Sequence, residues 1–506
     1  MENKIKATIY GVVVSVTNSI LTIVLNLIYN NYLIRNYGSS MNGLISTLAQ
    51  FVSLFSIIEG GFTTAAIVAM YAPVVSKDYD KMSDILYTAK KVYKRIGIII
   101  TVCVFSLGSI YLLLIDSPMS YAYTYVLLVL TVASTTFSVV LIAGYSILLQ
   151  GDNKEYLFNS IALACRIITW GLSMFLIINQ YHILLVFAVN VVNVILNWFL
   201  LYLYRNKHYR YLKNKAKYDS NLIVGTGDVL FQKIAGTVFT STDLVLISVC
   251  LDLKMASVYN LYNQVFRNVL NLLLGIIQAP FNSFGQLANS ENERDKFVNY
   301  ADVYQHLVLM MVTFALTVIG ITIIPFVRLY TSKITDCNYV MPVLAVLFFL
   351  QIFLQAVNRP YGSMLNSTGN FKMQNLQCGI SVIVNLVFSV LFIRLFGVYS
   401  IIFGSVLGTL VILVMNIYQL YVKVLKVKIG GIIKNITANM LLGLAGIILC
   451  IKFNYRCSSY LELLIYGVVN AVIVGIIVLL FNLIVCRKST QNVLGFLKNK
   501  IAGRKK

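Results

Sequence analysis

Long apolar runs separated by short polar breaks make up almost the whole chain, and several runs carry polar residues at helical spacing. Crossing the hydrocarbon core takes about 20 mostly apolar residues in a helix. That ruler predicts fourteen spans. Six lie near residues 8–33, 41–73, 96–116, 121–150, 156–179 and 181–204. Six more lie near 221–250, 256–287, 302–331, 338–367, 373–395 and 398–422, and two follow near 435–453 and 460–486. Polar stripes occur on some of them. The first span has Ser15, Asn18, Thr22, Asn26 and Asn30, three or four residues apart and so on one face. The second carries Asn42, Ser46, Gln50, Ser53, Ser56 and Glu59; the seventh Asp228, Gln232, Lys233, Thr237, Thr240 and Asp243. In the eighth stand Asn260, Asn263, Gln264, Arg267, Asn271 and Gln278; in the tenth, Gln351, Gln355, Asn358 and Arg359.

Composition sharpens the class. Of 506 residues, 59% are hydrophobic and only 11% charged, and the mean hydropathy is +0.81. Soluble domains carry about 25% charged residues. A cytosolic enzyme, a secreted domain and a disordered chain are thereby excluded, and unbroken apolar runs argue against a β-barrel with alternating strands. The expected fold is an all-α polytopic membrane protein.

The net charge of +22 is mostly a topology signal. With the N-terminus inside, seven Lys and Arg fall in outward loops, four within spans, and twenty-nine on the cytoplasmic side. Basic residues are retained on that side during insertion, so both termini are expected on the cytoplasmic side. The first apolar run reads as a span, not a cleaved signal. The basic segments "SKDYDKMSDILYTAKKVYKR" and "NVLGFLKNKIAGRKK" read as amphipathic helices on the inner leaflet. Lipid headgroups are the expected contact of this charge, and nucleic acid is not.

A weak internal repeat accompanies the spans. "IIEGGF" at 57–62 matches "IIQAPF" at 276–281, and "LLQGDNKEY" at 148–156 matches "NSTGNFKMQ" at 366–374. The second match aligns Gly151 with Gly369 and Lys154 with Lys372. Matching topological positions suggest duplication: a six-helix lobe over 1–204, a basic linker over 205–220, and a second six-helix lobe over 221–425. Two further helices (426–486) and a basic tail (487–506) follow. Parallel repeats of this kind are a common transporter plan.

Four basic residues lie too deep in spans for their side chains to reach the interface easily: Arg166, Lys233, Arg267 and Arg359. Each costs about 2.5–3.5 kcal/mol at a helix centre. Glu59 is the one acid of similar depth, and Asp228 and Asp243 lie nearer the ends of their span. One acid, paired for instance with Arg267, cannot neutralise four bases. The remainder are candidates to line a cavity for an anion, with phosphate the natural partner of such groups. Asn26, Asn30, Glu59, Asn263 and Gln355 are candidate polar lining, and Glu59, Asp228 and Asp243 candidate ion-coupling groups. For the neutral stripes, hydrogen bonding between packed helices is an equal alternative. His182, His208 and His306 have no metal-ligand spacing, and the eight cysteines are scattered. No metal or cofactor is expected, and no P-loop appears. Cys337 and Cys457, in loops, have the option of pairing.

The two six-span blocks, the stretch "TDLVLISVCLDLKMASVYNLYNQVFRNVLNLL" at 242–273 and the Gly-x-x-Lys turns after the fourth and tenth spans together carry a resemblance. The chain resembles the Wzx-type polysaccharide flippases of the MATE-like (MOP) superfamily, which also includes the lipid II flippase MurJ. Many Wzx-type proteins have twelve spans, so the last two helices depart from that pattern. The resemblance implies a non-enzymatic flippase for an undecaprenyl-pyrophosphate-linked oligosaccharide, serving capsule, O-antigen or exopolysaccharide assembly beside a polymerase and chain-length machinery. It also implies a cationic cavity at Arg166, Lys233, Arg267 and Arg359. Three alternatives stand beside it. A multidrug/cation antiporter of the same superfamily would need acids to dominate its cavity. A polysaccharide polymerase or ligase commonly has a sizeable outward loop, and here the outward loops are short. A major-facilitator carrier would have a Gly/Asp/Arg-rich turn where "APVVSKDYDKMS" stands.

Overall fold

The computed structural model describes residues 21–213, 216–219, 227–277, 294–367 and 371–502. Among these the chain is helical and free of strands. Helix α1 covers 21–37, α2 Ser39–Ser76, α3 Tyr79–Leu114 and α4 Tyr121–Gly151. Next come α5 Glu155–Ile178, α6 Ile183–His208, α7 Gly227–Cys250 and α8 Leu253–Ile277. Then α9 runs Arg294–Tyr330, α10 Pro342–Ser367, α11 Phe371–Phe396 and α12 Val398–Val424. The C-terminal set is α13 Gly430–Phe453, α14 Tyr460–Val485 and α15 Arg487–Ala502. Each predicted span thus has its helix, and the tail adds α15.

Ten of these helices are long and apolar enough to cross a membrane, counting described residues only. The protein is a multi-pass membrane protein. Over their described residues α1, α2, α7, α8 and α15 do not reach that measure. Residues 278–281, Gly369 and the Lys372 side chain of the internal repeat lie outside the described residues.

Packing divides the chain into two compact units, residues 1–257 and 258–506. This division falls inside α8, so α7 groups with the helices before it. In the first unit α2 packs along α7, α3 and α4. Its contact with the start of α8 is close: a Cβ at Gly43 would overlap the Leu253 carbonyl oxygen, and Asn42 Nδ2 donates to Ser257 Oγ at 2.6 Å. Near the other end of α2, a Cβ at Gly151 would come within 2.5 Å of Met70 Cγ. The Gly-x-x-Lys turn therefore needs its glycine for the approach to α2. Its lysine is tied down too. Lys154 Nζ lies 2.7 Å from Asp152 Oδ2, and Tyr209 Oη donates to that same oxygen at 2.5 Å. Burial pulls the Lys154 ammonium down, the Asp152 ion pair outweighs it, and the net direction is upward.

The basic segment after α2 is not a separate surface helix. It is the first half of the continuous 36-residue α3, and its buried face is covered by the linker. Lys213 N donates to Ser83 Oγ at 3.0 Å, Lys217 N to Asp84 Oδ1 at 2.8 Å, and Asp219 N to Thr88 Oγ1 at 3.1 Å. These side chains give the linker backbone the partners it would otherwise find in water.

In the second unit α11 and α12 form a tight pair flanked by α10, while α9 packs against α10, α13, α14 and α15. Asn439 and Asn482 exchange two hydrogen bonds, 3.0 and 2.9 Å, which clamp α13 to α14. No disulfide joins Cys337 to Cys457.

Adding a methyl group at the α2–α8 contact forces two backbones apart. Gly43→Ala is expected to destabilise the protein by about 1–3 kcal/mol. Gly171→Ala, which meets nothing within 4 Å, is expected to be neutral or to stabilise by up to about 1 kcal/mol. Melting curves of both purified variants check this, and equal melting temperatures would refute the close-contact assignment.

Candidate functional site

In the first unit α5 presents Arg166 and Trp170 one turn apart to α1. Arg166 Nη1 donates to Thr22 Oγ1 at 2.7 Å, and Trp170 Nε1 donates to the Leu25 carbonyl at 3.1 Å. Thr22 begins the described part of the α1 polar stripe, and Asn26, one turn on, is exposed while Asn30 is half-buried. The sequence placed Arg166 and this stripe on different spans; the fold brings them together. Glu59, half-buried on α2, lies beside Tyr93 of α3. Tyr93 Oη and Thr63 Oγ1 are 2.7 Å apart, and Thr63 Oγ1 also donates to the Glu59 carbonyl. Asp243 is buried on α7, with 2% exposure. The side chains of Lys233 and Asp228 lie outside the described residues.

In the second unit Arg267 Nε donates to Asn263 Oδ1 at 2.6 Å, one turn back on α8. Arg359, on α10, has an exposed side chain. It lies near enough to Arg267 for the two positive charges to repel, and its near neighbour on α11 is Cys378. Among the described residues neither Arg166 nor Arg359 forms an ion pair with a carboxylate. Neutralisation by ion pairing, the simplest structural account of deep arginines, does not cover these two.

Around Arg359 runs a belt of side-chain amides. Asn416 Nδ2 donates to Asn358 Oδ1 at 2.9 Å, and Gln374 of α11 packs against Gly362. Gln351 is 1% exposed, and among the described residues neither end of its amide has a partner. The oxygens of Gln355, Gln374 and Gln377 likewise accept no hydrogen bond among the described residues. Leaving such groups unmet in a bilayer is costly, so this belt suits a polar solute or water. Sequence inspection singled out Gln351, Gln355 and Asn358 but passed over α11. Its signal was legible: Gln374, Cys378, Ser381 and Asn385 follow helical spacing within an apolar run.

Two neighbouring guanidinium groups would attract a bound anion. Arg359→Gln is expected to remove any stabilisation of the protein by inorganic pyrophosphate. Melting curves with and without pyrophosphate test this; a variant still stabilised as the parent is would remove Arg359 from the site.

Compared with known proteins, the sequence matches no family model and no curated protein. Solved structures do match. The chain is similar to lipid II flippase MurJ in an inward closed conformation, with TM-score 0.69 and 13% identity, covering 94% of this chain and 99% of that one. It is similar to an inward-facing multidrug resistance MATE family transporter of the MOP superfamily, with TM-score 0.63 and 11% identity over 85% and 95% of the two chains. A third is an outward-facing multidrug resistance MATE family transporter of the MOP superfamily, with TM-score 0.54 and 12% identity over 87% and 96%. At these identities the likeness is one of fold. The chain shares the all-helical fold of these MurJ and MATE structures.

Proposed function

We propose that the protein is a flippase that moves an undecaprenyl-pyrophosphate-linked oligosaccharide across the bacterial cytoplasmic membrane by alternating access. The observation that carries this reading is the pair of deep arginines, Arg166 and Arg359, that form no ion pair with a carboxylate among the described residues, with Arg359 near the like charge of Arg267. Arrangements of this kind are costly in hydrocarbon and are retained where they meet a ligand. On this reading the deep cations of each unit, Arg166 and Lys233 in one and Arg267 and Arg359 in the other, attract the pyrophosphate. The amides of Asn26, Asn30, Asn263 and Gln355 serve the sugar hydroxyls. The prenyl tail stays in lipid, both termini are cytoplasmic, and the glycan is delivered to a polymerase on the outer face.

The second reading is a multidrug or cation antiporter. It is favoured by Glu59, which has no ion pair among the described residues, and by Asp243, buried in the first unit. Substrate sign separates the two. Arg267→Ala and Arg359→Ala are expected to reduce surface glycan assembly at least tenfold, with folded protein still present in the membrane. Glu59→Gln is expected to have a smaller effect on that output. Unchanged glycan in both arginine variants, together with loss of cation efflux in Glu59→Gln, would overturn the flippase reading in favour of the antiporter.

A further inference from the structure

At the linker end of the first unit, α3, α4 and α6 enclose a cavity of about 280 Å³. Five rings line it: Tyr87, Tyr93, Tyr145, Trp198 and Tyr202. Three cations join them, Lys90, Arg205 and Lys213, and no carboxylate lines it among the described residues. Lys213 is engaged by Asp80 at 2.6 Å. Arg205 gives Nη2 to the Leu212 carbonyl at 3.2 Å and Nη1 to Asn206 Oδ1 at 3.4 Å, both neutral acceptors. Lys90 is exposed and has no ion pair among the described residues. The wall therefore carries positive charge that nothing in the described protein balances.

Local structure holds this space open. Helix α4 makes a π-turn at Ser138–Ile142, the kind of irregularity that concentrates at functional sites. Val140 and Leu141 of that turn line the cavity, as does Gly144, where a Cβ would meet nothing within 4 Å. Aromatic rings gather at membrane interfaces for general reasons. A plain interfacial belt, however, faces lipid. Here the rings surround a concavity, and its floor is Tyr93, 1% exposed and fixed by Thr63 at 2.7 Å.

We propose that this cavity binds a phosphate ester of a sugar or polyol at the membrane interface. Lys90 and Arg205 hold the phosphoryl oxygens, and the rings of Tyr87, Tyr145, Trp198 and Tyr202 pack on the C–H faces of the attached polyol. Arginine and lysine are natural phosphate donors, and a pocket with aromatic walls and a few fixed polar groups suits a small ligand. The site is independent of the flippase reading, because it uses none of the four deep cations. Its ligand has two sources of one chemistry: the headgroup of an anionic phospholipid, or a soluble sugar phosphate.

The chain has two tryptophans, so Trp170→Phe leaves Trp198 as the sole reporter inside the cavity. Full-length protein of this background in phosphatidylcholine nanodiscs is titrated with glucose 1-phosphate. In parallel, its emission is compared across nanodiscs of rising phosphatidylglycerol content. A saturable change in Trp198 emission is expected in at least one arm; the arm that responds identifies the source. Lys90→Gln and Arg205→Gln are each expected to weaken the response at least tenfold. Gly144→Leu fills the space without removing a contact and is expected to abolish it. Lys90→Gln alters an exposed side chain, so a folding defect does not confound that variant. No response in either arm, or a response that Lys90→Gln and Arg205→Gln leave unchanged, overturns the proposal.

Discussion

Every polar group that enters the hydrocarbon must find its partner inside the protein, and that constraint organises this molecule. Most of the hydroxyls meet it locally. Thr47, Thr101, Thr131, Thr313 and Thr331 each return their hydroxyl to the carbonyl four residues back on the same helix, which satisfies the group without specifying a neighbour. The amides meet it across helices. Asn439 with Asn482, and Asn416 with Asn358, each pin one helix to another. Since lipid tails are as apolar as leucine, such bonds and close packing at small residues hold the bundle together in place of a hydrophobic drive.

The groups for which this solution fails are the informative ones. Arg359 lies by the like charge of Arg267, and among the described residues the Gln351 amide and the Gln355 amide oxygen have no hydrogen-bond partner. In membrane proteins generally, deep charged and polar groups commonly mark substrate or ion pathways. The same logic separates the belt around Arg359 from the Asn439–Asn482 clamp, although both look like polar interruptions of apolar runs. In the clamp the amide groups answer one another. In the belt several do not.

Irregular backbone plays a second part. Gly43 allows α2 to touch the backbone of α8, and Gly151 lets the α4–α5 turn close on Met70. The π-turn of α4 does the reverse and leaves space, at the height where the apolar run of α6 gives way to Arg205. Tyr93 then stands with its ring in that space and its hydroxyl on Thr63, one turn from Glu59. A single side chain thus links the interfacial cavity to the polar stripe of α2.

The sequence by itself determined the class, the spans and the suspicious charges. Spanning helices follow from runs of apolar residues because the hydrocarbon core sets a minimum length. Deep charges such as Arg166 and Arg359 can be located in the sequence because position within a run is depth. Partnership cannot be read that way. That Arg166 reaches Thr22, that Arg359 lies by Arg267 and Cys378, and that Lys213, Lys217 and Asp219 of the linker cap the face of α3 all depend on which helices pack together and in what register. The basic segment after α2 shows the difference: its amphipathic pattern fits a lipid surface or a protein surface equally, and the linker backbone supplied the covering. The interfacial cavity likewise draws Lys90, Gly144 and Trp198 from three helices, and only a packed tertiary structure brings such distant residues to one wall.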